Sequence, residues 1–188
     1  MHRTSSITIL AACLLGHAVP ASSQEPVNPH SLVIQDFEKR IGDYIKLHKV
    51  AGAKVPRLKT TDAAEKISDH EQSLAARIRE ARPDARQGDI FTPEIQVEFR
   101  RLIGVAMPTP KDAARIKKSL KHAEPVRLKL HVNDAYPSNV PLQSMPPSLI
   151  LNLPKVPQEL EYRIAGHDLV IRDIEANLLV DYMTGAIP

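Results

Sequence analysis

The stretch LEYRIAGHDLVIRDIEANLLVDYM, residues 160–183, has the fewest ways to fold of any part of this chain. Leu160, Tyr162 and Ile164 alternate with Glu161 and Arg163, the period of two that a half-buried strand requires. Ala165-Gly166-His167-Asp168 follows as a four-residue turn in which Gly166 can supply a positive φ. A second strand over 169–172 leads into Asp173-Ile174-Glu175-Ala176-Asn177. There the Asp opens a turn by side-chain capping, and the Asn suits a left-handed backbone. A third strand over 178–183 completes an antiparallel meander. A helix over 174–183 with Asp173 as N-cap competes; the β-branched content and the turn chemistry favour the strand. Asn177 decides between them: left-handed for the meander, helical against it.

Upstream the period is that of helices. Leu32, Ile34, Phe37, Ile41, Tyr44, Ile45 and His48 recur at spacings of three and four, with Ser31 as a suitable N-cap and Gly52 and Pro56 at the exit. A second helix is expected over 62–82, opened by an Asp62/Glu65 capping box and stopped by Pro83. Its apolar stripe is thin: Ala64, Ile67, Leu74, Ile78 and Ala81. Thr92-Pro93-Glu94 reads as N-cap, proline at the first helical position and an acid in the first turn. The helix it starts buries Ile95, Phe99, Leu102 and Ile103 and ends near Gly104. Thr109-Pro110 repeats the signal for a basic helix over 111–122.

Val126, Leu128, Leu130 and Val132 then alternate with Arg127, Lys129 and His131, predicting a half-buried strand. Seven prolines crowd the chain between Pro125 and Pro157 and predict an extended crossing, with one helical turn over 148–153. The expected fold is α+β: N-terminal helices packed with a small C-terminal antiparallel β-meander. It divides into a signal peptide over 1–23, a helical region over 24–122, and the strand, crossing and meander over 123–188, which share one domain with the helices.

The opening MHRTSSITILAACLLGHAVPASSQE has the layout of a secretory signal peptide: a basic start, an apolar run too short to span a bilayer, then small residues. Cleavage after Ser23 leaves Gln24 first, and Val19-Pro20-Ala21 offers a cut two residues earlier. Leu10-Ala11-Ala12-Cys13 raises lipidation at Cys13, but the apolar run continues past it, which favours simple export to the periplasm or medium. Cys13 is the one cysteine, so an exported form folds without disulfides. No segment after the signal approaches the ~20 apolar residues of a membrane span.

Composition excludes several function classes. The formal charge of +3 is too mild for a nucleic-acid binder. With no Trp, three Phe and four Tyr there is little to build a sugar-binding or base-stacking platform. No Gly-x-x-x-x-Gly-Lys loop is present. Asp173, Glu175 and Asp181 offer carboxylates for acid–base work, yet the first two fall in a turn, where acids bond locally. His167-Asp168 resembles a base with its orienting acid but sits in a hairpin turn without a nucleophile. His30, His48, His70, His122, His131 and His167 form no His-x-His or His-x-x-x-His pair. Asp69-His70-Glu71 is the densest ligand cluster, and its members point apart on a helix. No catalytic residue, cofactor site or metal site is therefore assigned.

One charge feature rises above this background. Lys117, Lys118 and Lys121, with Lys111 and Arg115, join Arg127, Lys129 and His131 in a basic face. Such a face suits an anionic envelope surface or an acidic partner protein, against the plainer reading of a solvated surface. The meander adds a second possible contact, a sheet edge able to accept a partner's strand.

Glu161-Tyr162-Arg163, Gly166-x-Asp168-Leu169-Val170-Ile171 and Leu178-Leu179-Val180-Asp181, after a proline-rich lead-in, resemble the C-terminal tail of periplasmic nickel/cobalt-homeostasis proteins of the RcnB type. The wider pattern, with Val132-Asn133, Tyr136-Pro137 and Pro146-Pro147, is similar to uncharacterised exported proteins of Gram-negative bacteria. The resemblance covers about thirty residues and implies the periplasm and a link to metal stress. The residues themselves lead to a non-enzymatic accessory or interaction protein of the envelope. A nickel/cobalt-binding protein and a hydrolase are the alternatives.

Overall fold

A computed structural model of the chain describes residues 28–121, 129–137 and 145–187. The expected signal peptide, Cys13, His122 and residues 126–128 of the expected fourth strand lie outside these. The chain runs through α1 (Pro29–Gly52), α2 (Ala64–Ala81), α3 (Pro93–Val105), α4 (Pro110–Lys121) and the short α5 (Pro147–Ile150). Three strands follow: β1 (Leu160–Ala165), β2 (Asp168–Asp173) and β3 (Leu178–Met183). They form one antiparallel sheet in the order β1-β2-β3, so the architecture is the α+β one expected.

Asn177 settles the competing readings of the C-terminal block. Its φ is 51°, a left-handed backbone that ends the turn and starts β3, and no helix forms over 174–183. At the other hairpin Ala165 pairs with Asp168 and Gly166 adopts φ 65°, so the turn takes the glycine where the sequence supplies it.

Helix limits follow local chemistry, with two corrections. Thr92 caps α3 by accepting from Ile95 N, and Thr109 accepts from Asp112 N at the start of α4. α1, however, starts earlier than Ser31: Asn28 accepts from His30 N, and Pro29 occupies the first turn. The Asp62/Glu65 capping box does not form. α2 begins at Ala64 behind Ala63, whose own N–H is taken by Thr61 Oγ1. Leu32 and Ile67, expected to face inward, are exposed.

The core lies between the helices and one sheet face. All three phenylalanines meet there, Phe37 with Phe99 at 4.9 Å and Phe91 with Phe99 at 5.2 Å between ring centroids. Tyr162 of β1 packs against Phe99 from the sheet side. Burying side chains of this size contributes on the order of 2 kcal/mol each, and Tyr162 continues the cluster onto the sheet. β3 is buried on both faces. The register shifts between Ile171↔Asp181 and Arg172↔Leu179, leaving Val180 as the extra residue of a bulge that re-aims Asp181.

The segment before the proline-rich crossing departs from expectation. Residues 129–132 form no strand. Leu130 and Tyr136 instead lie over Val170 and Leu179 on the far sheet face, and among the described residues the one isolated bridge is Ala135↔Leu178. Apolar contact with a face already made by β2 and β3 outweighs pairing beside it. The same segment closes the β3 edge: Asn133 N donates to Leu179 O and Tyr136 N to Asn177 O. Arg82 covers Val180 O on the same strand. Of the two sheet edges expected to accept a partner strand, the β3 edge is therefore closed.

Candidate functional site

Tyr44 and His48 stand four residues apart on α1, one above the other on its buried face. Both turn to Asp173 at the end of β2. Tyr44 Oη donates to Asp173 Oδ2 at 2.7 Å, and His48 Nδ1 lies 2.7 Å from the same oxygen. Asp173 Oδ1 accepts from Ala176 N at 2.8 Å, the local turn closure foreseen for an Asp at this place. The carboxylate is fully buried and each of its oxygens is engaged.

From this centre the bonds run outward. His48 Nε2 lies 3.2 Å from Glu175 Oε2, and Glu175 Oε1 lies 3.1 Å from His70 Nε2 on α2. Tyr44, Asp173, His48, Glu175 and His70 thus form one chain of hydrogen bonds across α1, the β2–β3 turn and α2. A carboxylate accepts, so donation from both ring nitrogens at once requires the imidazolium form of His48. Its pKa is raised accordingly, first by the hydrogen bond to Asp173, against burial, with Glu175 adding to the rise. Burial and the Asp173 charge hold the Tyr44 phenol far above its ordinary value, so it remains a neutral donor. The Arg82 guanidinium sits 5.3 Å over the Tyr44 ring.

Two further buried acids have similar duties. Asp181 accepts from the backbone N–H groups of Gly88, Ile90, Phe91 and Tyr182 at 2.7–2.9 Å, fastening the 86–91 loop to β3. Burial pushes its carboxyl up and these four donors oppose the rise. Glu98 takes two bonds from Arg101 and one from His30 Nδ1. Arg101, ahead of the other causes, holds it below the usual carboxylate range.

A groove of about 550 Å³ borders the outer end of the chain of bonds. His70 and Ser73 of α2 line it, together with Arg57, Lys59, Thr60 and Thr61 of the α1–α2 connector.

The carboxylates weighed from sequence, Asp173, Glu175 and Asp181, are the ones brought into polar clusters, but as fastenings. His167 Nδ1 donates to Ile187 O and Asp168 accepts from Gly185 N, so each of the two is bonded to backbone groups of residues 185–187. Of the basic face, Lys117, Lys118 and Lys129 are exposed, Lys121 ends α4 and Arg127 lies outside the described residues. His131 pairs with Asp134 and Arg115 with Asp112, which tempers the charge of that face. His48 was legible as a buried position on the α1 stripe, and a buried histidine needs a partner. Nothing local identified Asp173, 125 residues away. The Arg57–Lys59 connector carries no periodic or motif signal at all.

Among the described residues no group of three or more His, Cys, Asp or Glu side chains is arranged to hold a metal ion. No helix among them is long and apolar enough to cross a membrane. Comparison with protein-family models, curated proteins and solved structures finds no match to this chain.

Proposed function

We propose that this protein is a non-enzymatic accessory protein of the cell envelope, exported by cleavage near Ser23, that works by binding a partner. The observation that carries this reading is the use made of the buried acids. Asp173, Asp181 and Glu98 each have both oxygens bound to internal donors. A general base or nucleophile needs a free oxygen facing substrate, and these face the fold. Cations are left outward instead, at Lys117, Lys118, Lys129 and around the α1–α2 groove, which suits an anionic envelope surface or acidic protein. The nickel/cobalt alternative would draw its support from a cluster of ligating side chains, and the hydrolase alternative from a nucleophile within reach of His48. Neither has such support among the described residues.

The test is purification of the tagged protein from the envelope of the cell that makes it. Retention of a stoichiometric partner or of membrane, weakened by double charge reversal at Lys117 and Lys118, is the expected result. A protein that fractionates alone overturns the reading. Intact mass separates a free N-terminus at Gln24 from a lipidated Cys13.

A further inference from the structure

Every described arginine but one pairs with a carboxylate or donates to an oxygen of the chain. Arg82 and Arg86 reach Asp89, Arg172 and Arg163 reach Glu161, and even the exposed Arg79 and Arg100 donate to the backbone at Asn133 and Thr184. Arg57 is the exception: among the described residues it has no hydrogen-bond or ion-pair partner. It lines the α1–α2 groove with Lys59 and Lys66, which likewise have none. The groove's single acid, Asp69, pairs with no cation.

Three cations against one carboxylate give the groove lining a net positive charge. An incoming anion would gain that attraction without breaking any existing ion pair. Thr60, Thr61 and Ser73 add hydroxyls that can donate to an oxyanion, while His70 is turned through Nε2 to Glu175 at the edge of the groove. The guanidinium fork matches two oxygens of one oxyanion, and lysine ammonium groups supply point charge beside it. A volume of about 550 Å³ falls in the range of small-ligand sites.

We infer that the α1–α2 groove binds a doubly charged oxyanion group, a phosphate or phosphate ester, held by Arg57 with Lys59 and Lys66. The hydrogen-bonded chain from Asp173 through His48 and Glu175 to His70 gives the groove a rigid wall, because it ties α2 to the core. The oxyanion belongs either to a soluble phosphorylated molecule or to a lipid headgroup; Leu58, exposed at the same groove, would meet an acyl chain in the second case. This ligand and place go beyond the accessory role proposed above, and each can fail without the other.

The test is calorimetric titration of the purified protein with inorganic phosphate, with sulfate, and with glycerol phosphate at low ionic strength. Vesicles of neutral lipid with and without phosphatidic acid form the second arm. Saturable binding is expected, weakened at least tenfold in Arg57→Gln and in Lys66→Gln and unchanged in Lys39→Gln. All three side chains are exposed, and thermal melting confirms that the variants fold. No saturable signal for any probe up to about 10 mM, where a weak site of millimolar Kd would show, overturns the inference. Equal binding by wild type and Arg57→Gln overturns it as well. Co-sedimentation with phosphatidic-acid vesicles that free phosphate does not reverse assigns the headgroup; reversal by free phosphate, or binding of glycerol phosphate alone, assigns the soluble ester. Envelope association that survives Arg57→Gln while oxyanion binding is absent removes the groove and leaves the accessory role standing.

Discussion

His48 Nδ1 lies 2.7 Å from Asp173 Oδ2, and this contact joins the first helix to the end of the second strand across 125 residues of sequence. Both groups are buried, so neither can exchange its partner for water. Tyr44 brings a third element of control, because its hydroxyl fixes the same oxygen from one helical turn earlier. One carboxylate therefore takes polar contacts from two successive turns of α1.

Replacing Asp173 by alanine strands the Tyr44 hydroxyl, the His48 ring and the Ala176 amide together. Removing one partner of a buried charged pair costs about 3–5 kcal/mol, well above the cost of the missing volume alone. The expected outcome is a large fall in the urea midpoint with the slope unchanged. Asp173→Asn keeps an acceptor for part of the network but sets an amide N–H against donors, so it is expected to fall between wild type and alanine.

The same pair makes stability depend on pH in a definite direction. The folded pKa of His48 is raised above its unfolded value, chiefly by the hydrogen bond to Asp173. Its contribution is then fully present below the unfolded value of about 6.5 and is lost as pH rises through the folded value. The melting temperature of wild type minus that of His48→Gln is thus expected to shrink as pH goes from about 6 toward 9. A difference that grows over that window would show that His48 is neutral in the fold. Below the carboxylate range the opposite trend enters, because Glu98 has a lowered pKa and its contribution disappears as it protonates.

The meander, its two turns and most helix limits were legible because each rests on chemistry within a few residues. Alternation at Leu160, Tyr162 and Ile164, glycine at 166 and asparagine at 177 act locally, and the fold obeys them. What stayed hidden depends on contacts across the chain. Leu130 has the alternating neighbours of a strand residue, yet its place is on the far face of a sheet formed by residues 40 and more positions later. Asp181 reads as a polar residue in an apolar strand; only the bulge at Val180 and the 88–91 amides explain its burial. Arg57 is the extreme case: it has no partner among the described residues, and such an absence cannot be read from a sequence.

Asp181 shows how much one side chain can hold. Its Oδ2 serves the amides of Ile90 and Phe91, and its Oδ1 those of Gly88 and Tyr182. An asparagine offers one oxygen and a donor, so Asp181→Asn cannot serve both pairs. Each buried donor left unsatisfied costs about 1–3 kcal/mol, and Asp181→Ala is expected to lose more than Asp181→Asn. Hydrogen exchange reads the effect directly: the amides of Gly88, Ile90 and Phe91 should lose protection well before the α3 core does.

Asn177 separates backbone from side-chain effects in a single position. Its φ of 51° is a region that an L-residue with a Cβ enters at a cost of about 1–2 kcal/mol, which asparagine offsets by local bonding. Here Oδ1 accepts from Arg172 Nε at 3.0 Å and Nη2 at 2.7 Å, and Nδ2 donates to Tyr136 O at 3.1 Å. Glycine removes those bonds but relieves the backbone, so Asn177→Gly is expected to cost about 1 kcal/mol. Alanine removes the bonds and keeps the strain, and Asn177→Ala is expected to cost about 2–3 kcal/mol. Chemical denaturation of the two variants measures the gap between them. A gap near zero would mean that the turn relaxes out of the left-handed region once the Arg172 contact is gone, and that the side chain rather than the backbone holds β3 in register.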